Sequence, residues 1–151
     1  MTDSFRSATG RKLISRASAG ELGVVGHFVV DADERRIAAL VVGRGKKAQL
    51  VDWAQVSGFG PDAVMVIDDG ALRAPVGDRE QAAADGRLDL IGKRVLTEQG
   101  NALGVLDDVI FDASTGAVAM LRIGDRDIPA ASLLGSGPYA VVLDATQDPA
   151  P

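Results

Sequence analysis

The sequence predicts an all-β protein: two small antiparallel barrels in tandem, related by a pseudo-two-fold axis and joined by a linker with a short helix. The first observation is that the chain states one pattern twice. GRKLIS (Gly10 to Ser15) returns as GKRVLT (Gly92 to Thr97), LGVVGHFVVD (Leu22 to Asp31) as LGVLDDVIFD (Leu103 to Asp112), and SGFGPDAVMV (Ser57 to Val66) as LGSGPYAVVL (Leu134 to Leu143). Self-similarity at a fixed offset marks a duplicated unit and is read before any single residue. The second observation is that the offset drifts only in turns, from 82 residues at Gly10 and Gly92 to 77 at Gly60 and Gly137, so strands are copied and loops vary. The third is an even spacing of short apolar runs with Gly and Pro between them and no helical period, which argues for small closed or nearly closed barrels.

Each copy opens on a short strand, Leu13 and Ile14 in the first and Val95 and Leu96 in the second. Gly20-Glu21 and Gly100-Asn101 then supply turn chemistry, because Gly accepts a positive φ at little cost. The next run alternates with period two. Val24, Gly26, Phe28 and Val30 share one face and Val25, His27, Val29 and Asp31 the other; Val105, Asp107, Val109 and Phe111 share a face in the second copy, opposite Leu106, Asp108, Ile110 and Asp112. Apolar residues on both faces suggest a strand bending through a barrel. Tight turns at Asp33 to Arg36 and Ser114 to Gly116 lead into third strands at Ile37 to Val42 and Val118 to Ile123. Fourth strands follow near Gln49 to Asp52 and Asp127 to Pro129, then single helical turns at Trp53 to Val56 and Ala130 to Leu133, then closing strands at Ala63 to Ile67 and Tyr139 to Asp144. In the linker Asp78 is placed to cap a short helix that runs through Ala84 and ends at Gly86. The expected boundaries are 8–69 and 91–145 for the two units, 70–90 for the linker and 146–151 for a loose tail.

Composition bounds the function. The chain has 151 residues, so each copy holds about 60, a size at which a lone domain is marginal; the copies are expected to pack together or to form a homodimer. There is no Cys, hence no disulfide, thiolate metal site or cysteine nucleophile, which fits a reducing cytoplasm. No apolar run approaches the length of a membrane span, and the first residues lack a signal-peptide core, so membrane insertion is not expected. The net charge is −5 and falls on residues 70–151, which hold seven basic against twelve acidic residues. Such a surface repels phosphate backbones, and direct nucleic-acid binding is not expected.

Few residues suggest chemistry. His27 is the only histidine, and no G-x-S-x-G elbow accompanies it. Asp107, Asp108 and Asp112 could hold a hard cation, but strand-edge and turn-capping roles fit their spacing better. DADER at Asp31 to Arg35 lacks the Gly and the distant Glu of a calcium loop, and GRGKK at Gly43 to Lys47 lacks the glycine spacing and Ser or Thr of a phosphate loop. No catalytic, cofactor or metal residue is therefore assigned. Trp53 is the only tryptophan and aligns with Ala130. Core packing over the end of the barrel is the default for it; a protein-interface anchor with Phe59 and Tyr139 is the sharper reading, and the basic tip Arg44, Lys46 and Lys47 is a candidate contact for an acidic partner.

Taken in order, Gly92-Lys93, Val95, Gly100, Leu103-Gly104, Val105, Asp107 to Val109, Phe111-Asp112, Thr115-Gly116, Gly137 and Ala140 to Val142 resemble the PRC-barrel family. Gly10, Gly20, Leu22-Gly23, Val24, Phe28, Val30-Asp31, Gly60 and Ala63-Val64 carry the same resemblance in the first copy, which departs from it at Gly26 and His27. The resemblance implies the small β-barrel of the photosynthetic reaction-centre H subunit, of the C-terminal domain of the ribosome maturation factor and of stand-alone bacterial proteins. It implies a docking surface rather than an enzyme: an adaptor for a larger protein assembly, or alternatively a ribosome-associated factor acting through ribosomal protein.

Overall fold

In the computed structural model residues 1–43 and 45–144 are described. Arg44 and the tail expected at 146–151 lie outside the described residues. The chain forms β1 (Thr2–Ser4), α1 (Phe5–Ala8), β2 (Lys12–Ser15), β3 (Glu21–Asp31), β4 (Arg36–Val42), β5 (Gln49–Asp52), β6 (Val56–Phe59) and β7 (Val64–Val66). The linker helix α2 (Gly77–Ala84) leads into β8 (Arg94–Thr97), β9 (Ala102–Asp112), β10 (Val118–Ile123), β11 (Arg126–Pro129), β12 (Leu133–Ser136) and β13 (Ala140–Leu143). The two sheets have one strand order. It reads β5-β4-β3-β2-β7-β6 in the first and β11-β10-β9-β8-β13-β12 in the second.

Several details depart from the sequence expectation. The sheets are not wholly antiparallel, since β2 runs parallel to β7 and β8 to β13. Those pairs join the first and last strands of each unit, where no tight turn dictates direction. Neither sheet path closes. Single 3-10 turns, Trp53–Gln55 and Ala130–Ser132, carry the chain from β5 to β6 and from β11 to β12, and no ladder joins the strands they connect. The strands β6 and β12 themselves were not expected, because their Ser and Gly residues read as turn. Nor were β1 and α1.

The expected faces of the long strands are broken by a matched pair of register shifts. The ladder slips between Val25 and His27 on β3 and between Leu106 and Asp108 on β9. A bulge inserts one residue and changes the parity of everything after it. Val25 therefore joins Phe28 and Val30 in the core while Val24 is exposed, and Leu106 joins Val109 and Phe111 while Val105 is exposed.

One hydrophobic core runs through both units. At its centre Phe5 stacks on Phe28 at 4.0 Å, and Phe111 approaches Phe5, Phe28 and Phe59 at 5.6, 5.8 and 5.2 Å. Each such aromatic pair contributes about 0.5–1.5 kcal/mol beyond the area it buries. The leading segments cross over: β1 pairs with β9 of the second unit, and α2 packs against β3 of the first.

The linker helix is held differently from expectation. Val76, not Asp78, occupies the N-cap, and its N–H donates to Glu80 Oε1 at 2.8 Å. Gly86 ends the helix as expected. With φ +84°, it lets Gly86 N bond Ala83 O and Arg87 N bond Ala82 O, the paired bonds of a Schellman motif.

Candidate functional site

The two units meet through a reciprocal pair of backbone bonds. Ile37 N donates to Gly116 O at 2.8 Å and Val118 N to Arg35 O at 2.9 Å, around an antiparallel bridge between Arg36 and Ala117. Ile37 matches Val118 and Arg35 matches Gly116 in the repeat, so the contact is self-complementary, as across a two-fold axis. Both turn residues have positive φ, 53° at Arg35 and 79° at Gly116. The side chains have diverged in a complementary way. Trp53 lies so close over Gly116 that a Cβ there would sit 2.8 Å from its ring. On the opposite side Trp53 is replaced by Ala130 and Gly116 by Arg35, whose Nε donates to Leu133 O at 3.1 Å.

This seam decides where the expected interface residues go. Trp53 is half-buried, stacked on Phe59 at 5.8 Å and edge-on to Phe111 at 6.5 Å, and Phe59 is buried. Both pack between the units. Tyr139 does not join them; it is 68% exposed, with its hydroxyl accepting from Arg94 Nη1. Lys46 and Lys47 are exposed on a 3-10 turn, and Arg44 lies outside the described residues.

The acidic residues of β9 are bound to backbone. Asp108 is buried, and its Oδ1 accepts from Arg6 N at 3.1 Å and Val109 N at 2.8 Å. Asp107 Oδ2 accepts from Gly124 N at 2.7 Å, and the Asp107 carbonyl from Arg6 Nε. Asp112 caps its turn through the Ser114 hydroxyl and N–H, which hold its carboxyl below the usual range. Among the described residues no three metal-ligating side chains share a site.

His27 lines a cleft of about 460 Å³ with Arg6, Thr9, Asp89 and Ile91. Its Nδ1 lies 3.0 Å from Asp89 Oδ2, a partner that nothing local in the sequence signals. Nε2 lies only 3.2 Å from where a Cβ on Gly86 would sit, beside the C-terminus of α2. The nearby Thr9 hydroxyl donates to Phe5 O at 2.7 Å, so it is not aligned as a nucleophile. The pair fastens the linker to β3.

Residues 87–144, which span β8 to β13, match the PRC-barrel domain family. The chain carries a PRC-barrel domain. No curated protein matches it. In the PRC-barrel domain the matched segment takes in β9 with its bulge, the turn at Gly116 and the closing strand β13, the places where the repeat is strongest. The family is a protein-interaction module in general terms. Among the described residues no helix is long and apolar enough to cross a membrane.

Proposed function

We propose that this protein is a non-enzymatic docking module: two PRC-barrel units in one chain, the first being residues 8–69, offering a composite surface to a larger protein assembly. The observation that carries this reading is where the reactive-looking side chains go. Asp107, Asp108 and Asp112 each bind backbone, and His27 binds Asp89 beside the linker helix. The aspartates of β9 support the scaffold, and the two groups that do reach a cleft, His27 and Asp89, are paired with each other. The common strand order of the two sheets and the reciprocal seam support the tandem reading.

The test is affinity capture combined with crosslinking in native lysate, using the full chain. A stoichiometric protein complex, recovered reproducibly and absent from capture with an unrelated acidic β protein, is the expected result. Recovery of no reproducible partner, including a second copy of this chain, would refute the docking reading.

A further inference from the structure

The strands β3 and β9 match residue for residue, yet only β9 has a strand paired to the C-terminal end of its outer edge. On β9, β1 adds in antiparallel register, with Thr2 opposite Asp112, Asp3 opposite Phe111 and Ser4 opposite Ile110, and Ala113 N donates to Met1 O at 2.9 Å. The repeat places Val29, Val30, Asp31 and Ala32 at the corresponding positions of β3. There the outer edge has no strand among the described residues: β2 covers only Glu21 to Val24, and β4 lies along the opposite edge. By chain order, the segment before β8 would supply the counterpart of β1. It coils into α2 instead and packs Ala84 among Val29, Val41 and Leu50.

What remains is a groove of about 440 Å³ between β3 and β12. Val29, Val30 and Ala32 line one side, and Leu134, Gly135 and Ser136 the other. The strand β12 is the repeat counterpart of β6, which lines the pocket shared with Met1 in the filled half of the molecule. In an antiparallel ladder alternate residues turn both backbone groups outward. The Ala113 to Met1 bond therefore identifies Val30 and Ala32 as the β3 residues whose N–H and C=O groups face the groove. Its rim carries Asp31 and Asp33 against one cation, Arg79, together with Glu80, whose carboxylate is already paired with Arg73.

We propose that this groove receives an extended, basic segment of a partner protein, which adds to the β3 edge at Val30 to Ala32 as an antiparallel strand in the way β1 adds to β9. The proposal rests on the docking reading above and gives it a site and a ligand chemistry. Main-chain bonds to the edge supply the binding and the acidic rim selects the charge. Small residues on β12 leave room for the incoming backbone.

The test uses NMR on the full chain with two capped probe peptides, Lys-Val-Thr-Val-Lys and Glu-Val-Thr-Val-Glu. In the free protein the Val30 and Ala32 amides should exchange at least about tenfold faster than their partners Phe111 and Ala113; equal protection would overturn the proposal. The basic peptide should shift Val29 to Ala32 and Leu134 to Ser136 with about tenfold higher affinity than the acidic one at low salt. Gly135→Trp should abolish those shifts. A Cβ at Gly135, a residue lining the groove, meets no atom within 4 Å, so the backbone there accepts a side chain. Leu134→Arg, at an exposed position, is a second variant that repels the basic probe without filling the groove. Absence of shifts, or shifts unaffected by both variants, would overturn the proposal, as would a change in solution mass of Gly135→Trp without peptide, which would assign the groove to a second copy. A captured partner that binds Gly135→Trp as well as the parent would remove the groove and leave the docking reading standing.

Discussion

Trp53 and Gly116 are one contact seen from two units. The glycine is required twice over, by φ +79° and by the ring 2.8 Å from its absent Cβ. Gly116→Ala is expected to cost about 2 kcal/mol or more, from left-handed strain and overpacking together. Trp53→Ala is expected to cost about 2–3 kcal/mol, below the figure for a fully buried Trp because the ring is half-exposed. The double variant should cost about 1 kcal/mol less than the sum, because removing the ring removes the clash but not the strain. Urea unfolding of the four proteins measures this; strict additivity would mean that ring and turn do not sense each other. The repeat predicted that Gly116 and Arg35 occupy equivalent turns. It could not show Trp53 crossing to the other unit, because that contact joins residues with no local relation in sequence.

The linker helix α2 is fastened by an ion cluster that spans two elements. Arg73 pairs by backbone with Leu50 at the edge of β5, while its guanidinium meets Glu80 at 2.7 Å and Asp52 at 2.8 Å. The hydrogen bonds from Arg73 hold the Glu80 carboxyl down to about 2 against its ordinary 4.5, and the two carboxylates push the Arg73 guanidinium up. A carboxyl with a depressed folded pKa contributes stability above its unfolded value and loses it as pH falls through the folded one. The Glu80 contribution should therefore be intact above about pH 4.5 and lost by about pH 2. Thermal melts of the parent should fall more steeply across that window than those of Glu80→Gln, and the difference should shrink in 1 M salt, since both side chains are about a third exposed. Parallel curves would show the cluster to be uncoupled from folding. Gly86 marks the end of this helix in the sequence, but the helix starts earlier than a capping Asp78 predicts, because Glu80 reaches back to the Val76 N–H.

Across the whole molecule the two sheets stand or fall together. Phe5 and Phe28 precede the linker and Phe111 follows it, yet the three rings form one cluster, and β1 belongs by pairing to the second unit. Residues 1–86 and 87–151 expressed separately should each lack a cooperative thermal transition, and mixing them should restore one. Two independently cooperative halves would show that the shared core is dispensable. By itself the sequence determined the long strands and their hairpins, because period-two alternation and turn residues are local signals; the short β1, β6 and β12 carry no such signal. Tertiary structure alone decided the bulges that switch the core faces, the parallel closing pairs, the crossing of Trp53 and the stretch of β3 edge that no strand covers among the described residues. Each depends on which distant segment arrives beside a strand, and neither propensity nor spacing within that strand encodes the arrival.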